Sequence, residues 1–444
     1  MNTNIKLLKD ESRHCIFNID DYSLFDTNEF SYNVISTALE TGDIPATSRK
    51  FNLDEKDLSS MLTKIGYKEI QDVKEIKDNQ QPKRNIQRIT LHVSNDCNLR
   101  CKYCYASGGG YGKNRGLMTL DTARRFVNYC CANFDSVENL VFFGGEPFLN
   151  IQIIEFICNY FHEKFNNGEI SNIPKFGAIT NGTLNSDRIF NVIHKYFSFL
   201  TVSIDGPKEI NDLNRVTIDG SGSFDRIAAF LKRVSGIHEL KINIEATYTS
   251  QHIEKGFSRE TIKNYFKTSF NLNADVVDEM SLDNSSMAIE NLDSPLNSPW
   301  FESILKTIVR KRHETKCQIL RNIFAVSIEG DIYPCHMNVG DGMLPVSSIW
   351  DSGQGLKNII LHNEAYRLKD NNTCNQCWAR NMCGGCSRLS FYDPDKKTYQ
   401  NSPLEKQCDY FKKVISKALL KICEVRKDSS LWGDLLNQVN HSSK

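Results

Sequence analysis

Net charge is the first thing this sequence lacks. Across 444 residues the basic and acidic side chains balance at 54 each. That balance argues against the one-signed surface of a general nucleic-acid or membrane-surface binder. Long apolar runs are also missing. No stretch approaches the roughly 20 apolar residues that span a bilayer, and Met1 to Arg13 is polar, without the apolar segment of an export signal. Without such a signal the fifteen cysteines are not expected to build a disulfide framework. Ten of them fall instead into two spaced sets of the kind that bind metal. The chain is expected to be cytoplasmic, metal-bearing and divided into two or three domains.

Residues 1–85 hold no cysteine motif. Cys15 to Ile19 alternates like a strand edge, and Phe30, Val34, Ile35, Ala38 and Leu39 trace one helical face. A second helix is read from Asn52 as N-cap, Glu55, the apolar Leu58, Met61, Leu62 and Ile65, and Gly66 as terminator. The polar run Lys77 to Arg84 reads as a linker. Over 86–300, strand-like runs near 88–93, 139–143, 175–180, 199–204 and 240–247 alternate with amphipathic helices such as that of Leu120, Ala123, Phe126, Val127 and Cys130. Repeated strand–helix units predict an α/β fold with a parallel sheet, doubly wound or curled into a barrel. Functional groups then sit at the C-terminal strand ends. Regular structure thins over 301–425, and 426–444 is a polar tail expected to dock a helix and fray.

The chemistry-bearing residues fall at those strand ends. After the strand Ile89–Val93 come Cys97, Cys101 and Cys104, with three residues between the first pair and two between the second. Three thiolates converging on one metal centre leave it a ligand short of a closed site, and an open position is where a small molecule is activated. The run Leu140–Phe143 ends in Gly144-Gly145-Glu146-Pro147. The run Phe176–Thr180 ends in Asn181-Gly182, and Leu200–Ile204 in Asp205-Gly206-Pro207. Gly108 to Gly112 lacks the Lys-Ser/Thr of a P-loop and is expected to be a flexible cover. Ser203 with Asp205 has no nucleophile-elbow context.

Triplet and glycine motif, in this order, resemble the radical S-adenosylmethionine (SAM) family. The resemblance implies a partial (β/α)6 barrel with a [4Fe-4S] cluster on Cys97, Cys101 and Cys104 and SAM on its unique iron. It further implies that Gly144, Gly145, Glu146 and Pro147 hold the SAM amino group and that Ser203 and Asp205 bond its ribose. Arg215 would neutralise its carboxylate and Tyr105 contact adenine, with Asn181 and Thr247 also lining the pocket.

The second set runs Cys317, twelve residues, Gly330, four residues, Cys335, then Cys374, two, Cys377, five, Cys383, two, Cys386, and finally Cys408. It resembles the SPASM extension, a loop-rich domain with two auxiliary iron–sulfur clusters, departing from it by the short gap before Cys386. By resemblance Cys374, Cys377, Cys383 and Cys408 close one [4Fe-4S] cluster, and Cys317, Cys335 and Cys386 hold the other, making three in all. Seven cysteines for two clusters leave one iron without a thiolate, since the segment Arg321-Asn-Ile-Phe324 supplies none. A substrate thiolate or His336 would fill that position. The first 85 residues resemble a winged-helix-like peptide-recognition domain, whose ligand adds a strand to a sheet edge. Together these imply a maturase, similar to those of sactipeptides and ranthipeptides, that joins a cysteine sulfur of a ribosomally made precursor peptide to carbon as a thioether. A flavodoxin- or ferredoxin-type reductant would supply electrons, with no nucleic-acid or membrane partner. The alternatives are carbon–carbon crosslinking, anaerobic sulfatase maturation to formylglycine, and a non-catalytic iron–sulfur redox protein. Sulfatase maturases carry an eighth auxiliary cysteine, and an aspartate at the position of His336.

Overall fold

The computed structural model describes residues 4–68, 85–278, 299–311, 322–340, 345–351, 372–383, 392–393, 398–400 and 402–441. The chain opens with an antiparallel sheet, β1 (Ile5–Lys9), β2 (His14–Asn18) and β3 (Leu24–Thr27), with β2 in the middle. The helices α1 (Glu29–Thr41), α2 (Ile44–Phe51) and α3 (Glu55–Lys64) follow. Side chains on β2 alternate between faces, as a pleated strand requires. Ile16 packs with Val34, Ile35, Leu58 and Leu62 of the helices, while Cys15 and Phe17 point into a second core. The N-cap of α3 is Asp54, whose side chain accepts from the Lys56 N–H, and not Asn52. Asn52 instead closes α2 in the left-handed conformation, φ 52°. Asparagine suits either end of a helix, and α2 buries Thr47 and Ser48, so it has no apolar stripe to announce it. Phe30, expected on the buried face of α1, is 52% exposed.

The central sheet holds β4 (Asn85–Ser94), β5 (Ser136–Gly144), β6 (Lys175–Thr180), β7 (Phe197–Ser203), β8 (Lys241–Tyr248) and β9 (Ala274–Asp278), parallel and in sequence order. All five expected strands are there, and β9 is a sixth. The connections are made by α4 (Leu120–Asn133), α5 (Ile151–Asn166), α6 (Asp187–Tyr196), α7 (Lys208–Asn214), α8 (Phe224–Val234), α9 (Ser250–Glu254) and α10 (Arg259–Phe270). Past β4 the sheet continues through β10 (Ile323–Val326), parallel to it, then β11 (Asp331–Tyr333) and β12 (Ser347–Ser348), each antiparallel to the strand before it. The nine strands form one mixed sheet that does not close. Ile89, Leu91 and Val93 of β4 pack with Phe126, Val127, Ile154 and Ile157 of α4 and α5. Thr90, His92 and Ser94 therefore take the other face.

Three longer helices follow in the C-terminal part: α11 (Pro299–Arg310), α12 (Glu405–Val425) and α13 (Ser429–His441). Phe301, Ile304 and Ile308 of α11 and Ile415, Leu419 and Ile422 of α12 share a core with Cys15 and Phe17 of β2, and Trp432 and Leu435 of α13 pack on it. The N-terminal sheet is thus sandwiched, one face on its own helices and the other on the C-terminal ones.

Candidate active site at the C-terminal strand ends

Where β4 ends, the chain enters the cysteine loop, and backbone bonds fix its path. The Arg100 N–H donates to the Val216 carbonyl (2.7 Å), Lys102 N–H to Asn214 (3.0 Å) and Cys104 N–H to Cys101 (3.1 Å). The Arg100 guanidinium folds back onto the carbonyls of Cys97 (2.6 Å) and Leu99 (2.7 Å). Donors also point at sulfur: Leu99 N–H at Cys97 Sγ (3.4 Å), Gly108 N–H at Cys104 Sγ (3.4 Å) and Asn181 Nδ2 at Cys97 Sγ (3.6 Å). Such donors favour thiolate. Burial, with the Glu146 carboxylate nearby, pushes the Cys97 thiol up to about 12. A bound metal reverses this by taking the anion as its ligand. The three sulfurs do not all lie within 4.8 Å of one another. An iron–sulfur cluster distributes its thiolates over different irons, so sulfurs that stand apart suit it. The donor set fits a cluster.

The glycine motif is shaped by this loop. A Cβ on Gly144 (φ 137°) would sit 2.0 Å from the Ser94 carbonyl oxygen, and one on Gly145 would sit 2.2 Å from that of Asp96. The Gly145 and Glu146 N–H groups donate to those same carbonyls, at 2.9 and 2.8 Å. Gly108 to Gly112, expected to be flexible, is instead packed. A Cβ on Gly109 would lie 2.8 Å from the Gly145 Cα, and the Tyr111 hydroxyl donates to the Gly144 carbonyl (2.7 Å). Pro147 then opens a buried 3-10 turn.

Two buried carboxylates flank the loop. Glu146 accepts from the Thr180 hydroxyl (2.8 Å), the Phe148 N–H (3.1 Å) and the Asn181 N–H (2.8 Å). Burial still pushes its carboxyl up to about 7. Asp205, just past β7, accepts from the Tyr103 hydroxyl at both oxygens (2.9 Å each) and from the Thr247 N–H (3.2 Å). Arg215 Nη1 donates to the same hydroxyl (2.5 Å) and lies 3.8 Å from Asp205 Oδ1. Burial raises Asp205 to about 6 against the pull of Arg215. The Nε of Arg215 is buried without a partner among the described residues.

The structure therefore joins the predicted Asp205 and Arg215 through Tyr103, a residue the sequence reading passed over. Its signal was an aromatic ring between Cys101 and Cys104. Tyr105 packs edge-on against Tyr111 at 6.0 Å. Thr247 contributes its backbone N–H to Asp205, and Ser203 ends β7 in register with Glu245. His92 was also unforeseen. It is fully buried between Tyr111 (5.0 Å) and Phe143 (5.2 Å), with neither ring nitrogen partnered among the described residues, and burial holds it down near about 3.

Of the second set, Cys374 and Cys377 share a turn, the Cys377 N–H donating to the Cys374 carbonyl (3.1 Å). The Cys408 thiol, raised by burial, also feels Cys383 and Cys377. His336 Nδ1 lies 3.5 Å from Cys335 Sγ, with its ring edge-on to Phe143 at 5.0 Å. Cys317 and Cys386 lie outside the described residues. Among the described residues, no helix is long and apolar enough to cross a membrane.

Residues 91–244 match the model of the Radical SAM superfamily. An uncharacterized protein of Methanocaldococcus jannaschii is 36% identical over 138 residues, covering 31% of this chain and 45% of that protein. The chain thus spans less than half of that relative. A cysteine-type anaerobic sulfatase-maturating enzyme of Clostridium perfringens is 24% identical over 374 residues, covering 75% of this chain and 96% of the enzyme. The solved structure of anSMEcpe with bound AdoMet matches with TM-score 0.59 and 21% identity, covering 80% of this chain and 99% of that one. The fold is shared.

Proposed function

We infer that this radical SAM enzyme modifies a peptide or protein substrate, and that it forms a thioether from a substrate cysteine. The observation that carries the reading is the meeting of the cysteine loop with Gly144 to Glu146 and the Tyr103–Asp205–Arg215 network at one end of the parallel sheet. When bound, a reduced [4Fe-4S] cluster and SAM supply a 5′-deoxyadenosyl radical that removes a substrate hydrogen atom. Cys97, Cys101 and Cys104 would hold the cluster, and the Glu146 carboxylate would receive the SAM ammonium. The Arg215 Nε, without a partner among the described residues, supports Arg215 as the group for the SAM carboxylate, with Asp205 and Ser203 beside the ribose. Both carboxylates are themselves fully buried.

A substrate cysteine is supported by the auxiliary set, whose seven sulfurs would leave one iron of two clusters for a substrate thiolate. The N-terminal sheet supports a peptide, because an extended segment can add at its edge. Coverage of nearly the whole Clostridium perfringens enzyme favours a second reading, oxidation of a substrate cysteine or serine to formylglycine. His336 at the position of that family's aspartate weighs against it.

Anaerobic reconstitution with dithionite and SAM should yield 5′-deoxyadenosine, and C97A/C101A/C104A should yield none. Turnover in that triple variant would sink the assignment. With a cysteine-containing peptide the thioether reading expects loss of two hydrogens and of thiol alkylation. Formylglycine would instead appear as a hydrazide-reactive aldehyde.

A further inference from the structure

Cys15, Asp26 and Cys423 belong to no spaced motif, yet their donor atoms all lie within 4.8 Å of one another. The structure brings them from opposite ends of the chain. Cys15 and Asp26 are register partners across β2 and β3, and Cys423 lies in the last turn of α12. Cys15 is wholly buried and Cys423 is 2% exposed, while the Asp26 side chain is 41% exposed at the rim. We propose that these three side chains form a structural site for one tetrahedral divalent metal, zinc by its donor set, with water as fourth ligand.

Two thiolates and a carboxylate are ordinary zinc donors. Bonds of about 2.3 Å to sulfur and about 2.1 Å to oxygen at tetrahedral angles set the donors about 3.6–3.8 Å apart. Closure by about 1 Å from the 4.8 Å limit completes that geometry. Charge permits it as well. The neighbouring Cys423 thiol and burial push the Cys15 thiol far up. A dication entering there releases both thiol protons, so the charge of the buried pocket is unchanged. Three anionic ligands around a dication leave one surplus negative charge. Lys427 Nζ, 2.9 Å from Asp26 Oδ2, and the Arg426 guanidinium, which feels both thiols and donates to the Leu24 carbonyl, stand ready to balance it. The rim carboxylate gives the ion its way in. Such a site would clamp the N-terminal sheet to α12, where Arg13–Glu424 and Lys427–Asp26 already pair.

The test is metal counting by plasma mass spectrometry on the anaerobically purified, iron-loaded full chain after titration with Zn²⁺ and desalting. The expected result is one more zinc per chain in the wild type than in C15S or C423S, and an affinity at least tenfold weaker in D26N. Added Zn²⁺ should raise the melting temperature of the wild type alone. Equal zinc in the wild type and all three variants, each retaining its iron, would overturn the proposal. A Cys15–Cys423 disulfide mapped in the anaerobic protein would do the same. If the buried serine variants fail to fold, the rim variant D26N decides: unchanged zinc affinity there overturns the site.

Discussion

At the residue scale the site depends on carboxylates held where water does not reach. Glu146 ordinarily titrates near 4.5 and is raised to about 7. The folded chain therefore binds a proton that the unfolded chain releases across that window. Stability of the protein then falls as pH rises through it, by about 3 kcal/mol for this one group. Asp205, raised from 3.8 to about 6, acts in the same direction. E146Q should flatten the slope, seen as a smaller drop in melting temperature between pH 5 and 8, while weakening SAM binding by about tenfold or more. A wild-type slope in E146Q would show the carboxyl to be ordinarily solvated. Tyr103→Phe removes the hydroxyl linking Arg215 to Asp205 and should cost about 1–3 kcal/mol in urea unfolding.

At the element scale, the close approach of two backbones decides the site. Ser94 to Asp96 and Gly144 to Glu146 run so near each other that neither glycine has room for a methyl group. Gly145→Ala should push the cysteine loop away and lower iron content and visible absorbance after reconstitution. Gly168→Ala meets nothing within 4 Å and should keep full cluster loading, although its φ of 73° costs about 1 kcal/mol. Equal iron in both variants would separate the glycine motif from the cysteine loop. Much of this scale was legible beforehand, because β4 to β8 are apolar runs bounded by turn residues. By contrast, β10 to β12 are only four, three and two residues long. They owe their place to pairing with β4 and with one another, which no local pattern encodes.

At the scale of the whole molecule, the two ends of the chain share one core. Leu419 of α12 is fully buried beside residues of β2 and α11, so Leu419→Ala should cost about 2–5 kcal/mol. Because that core is common property, the loss should reach β1 to β3. Hydrogen exchange is expected to speed up there as well as in α12. Speeding confined to α12 would show the N-terminal sheet to be an independent unit.

The sequence by itself determined the cysteine triplet, the Gly-Gly-Glu-Pro strand end and the strand–helix alternation, because each is a local pattern of spacing or periodicity. Tertiary structure alone decided that Tyr103 joins Asp205 to Arg215, that His92 lies buried among aromatic rings, and that Cys15 meets Cys423. Those contacts link positions far apart in the chain, and the folded path, not any local preference, sets which of them touch.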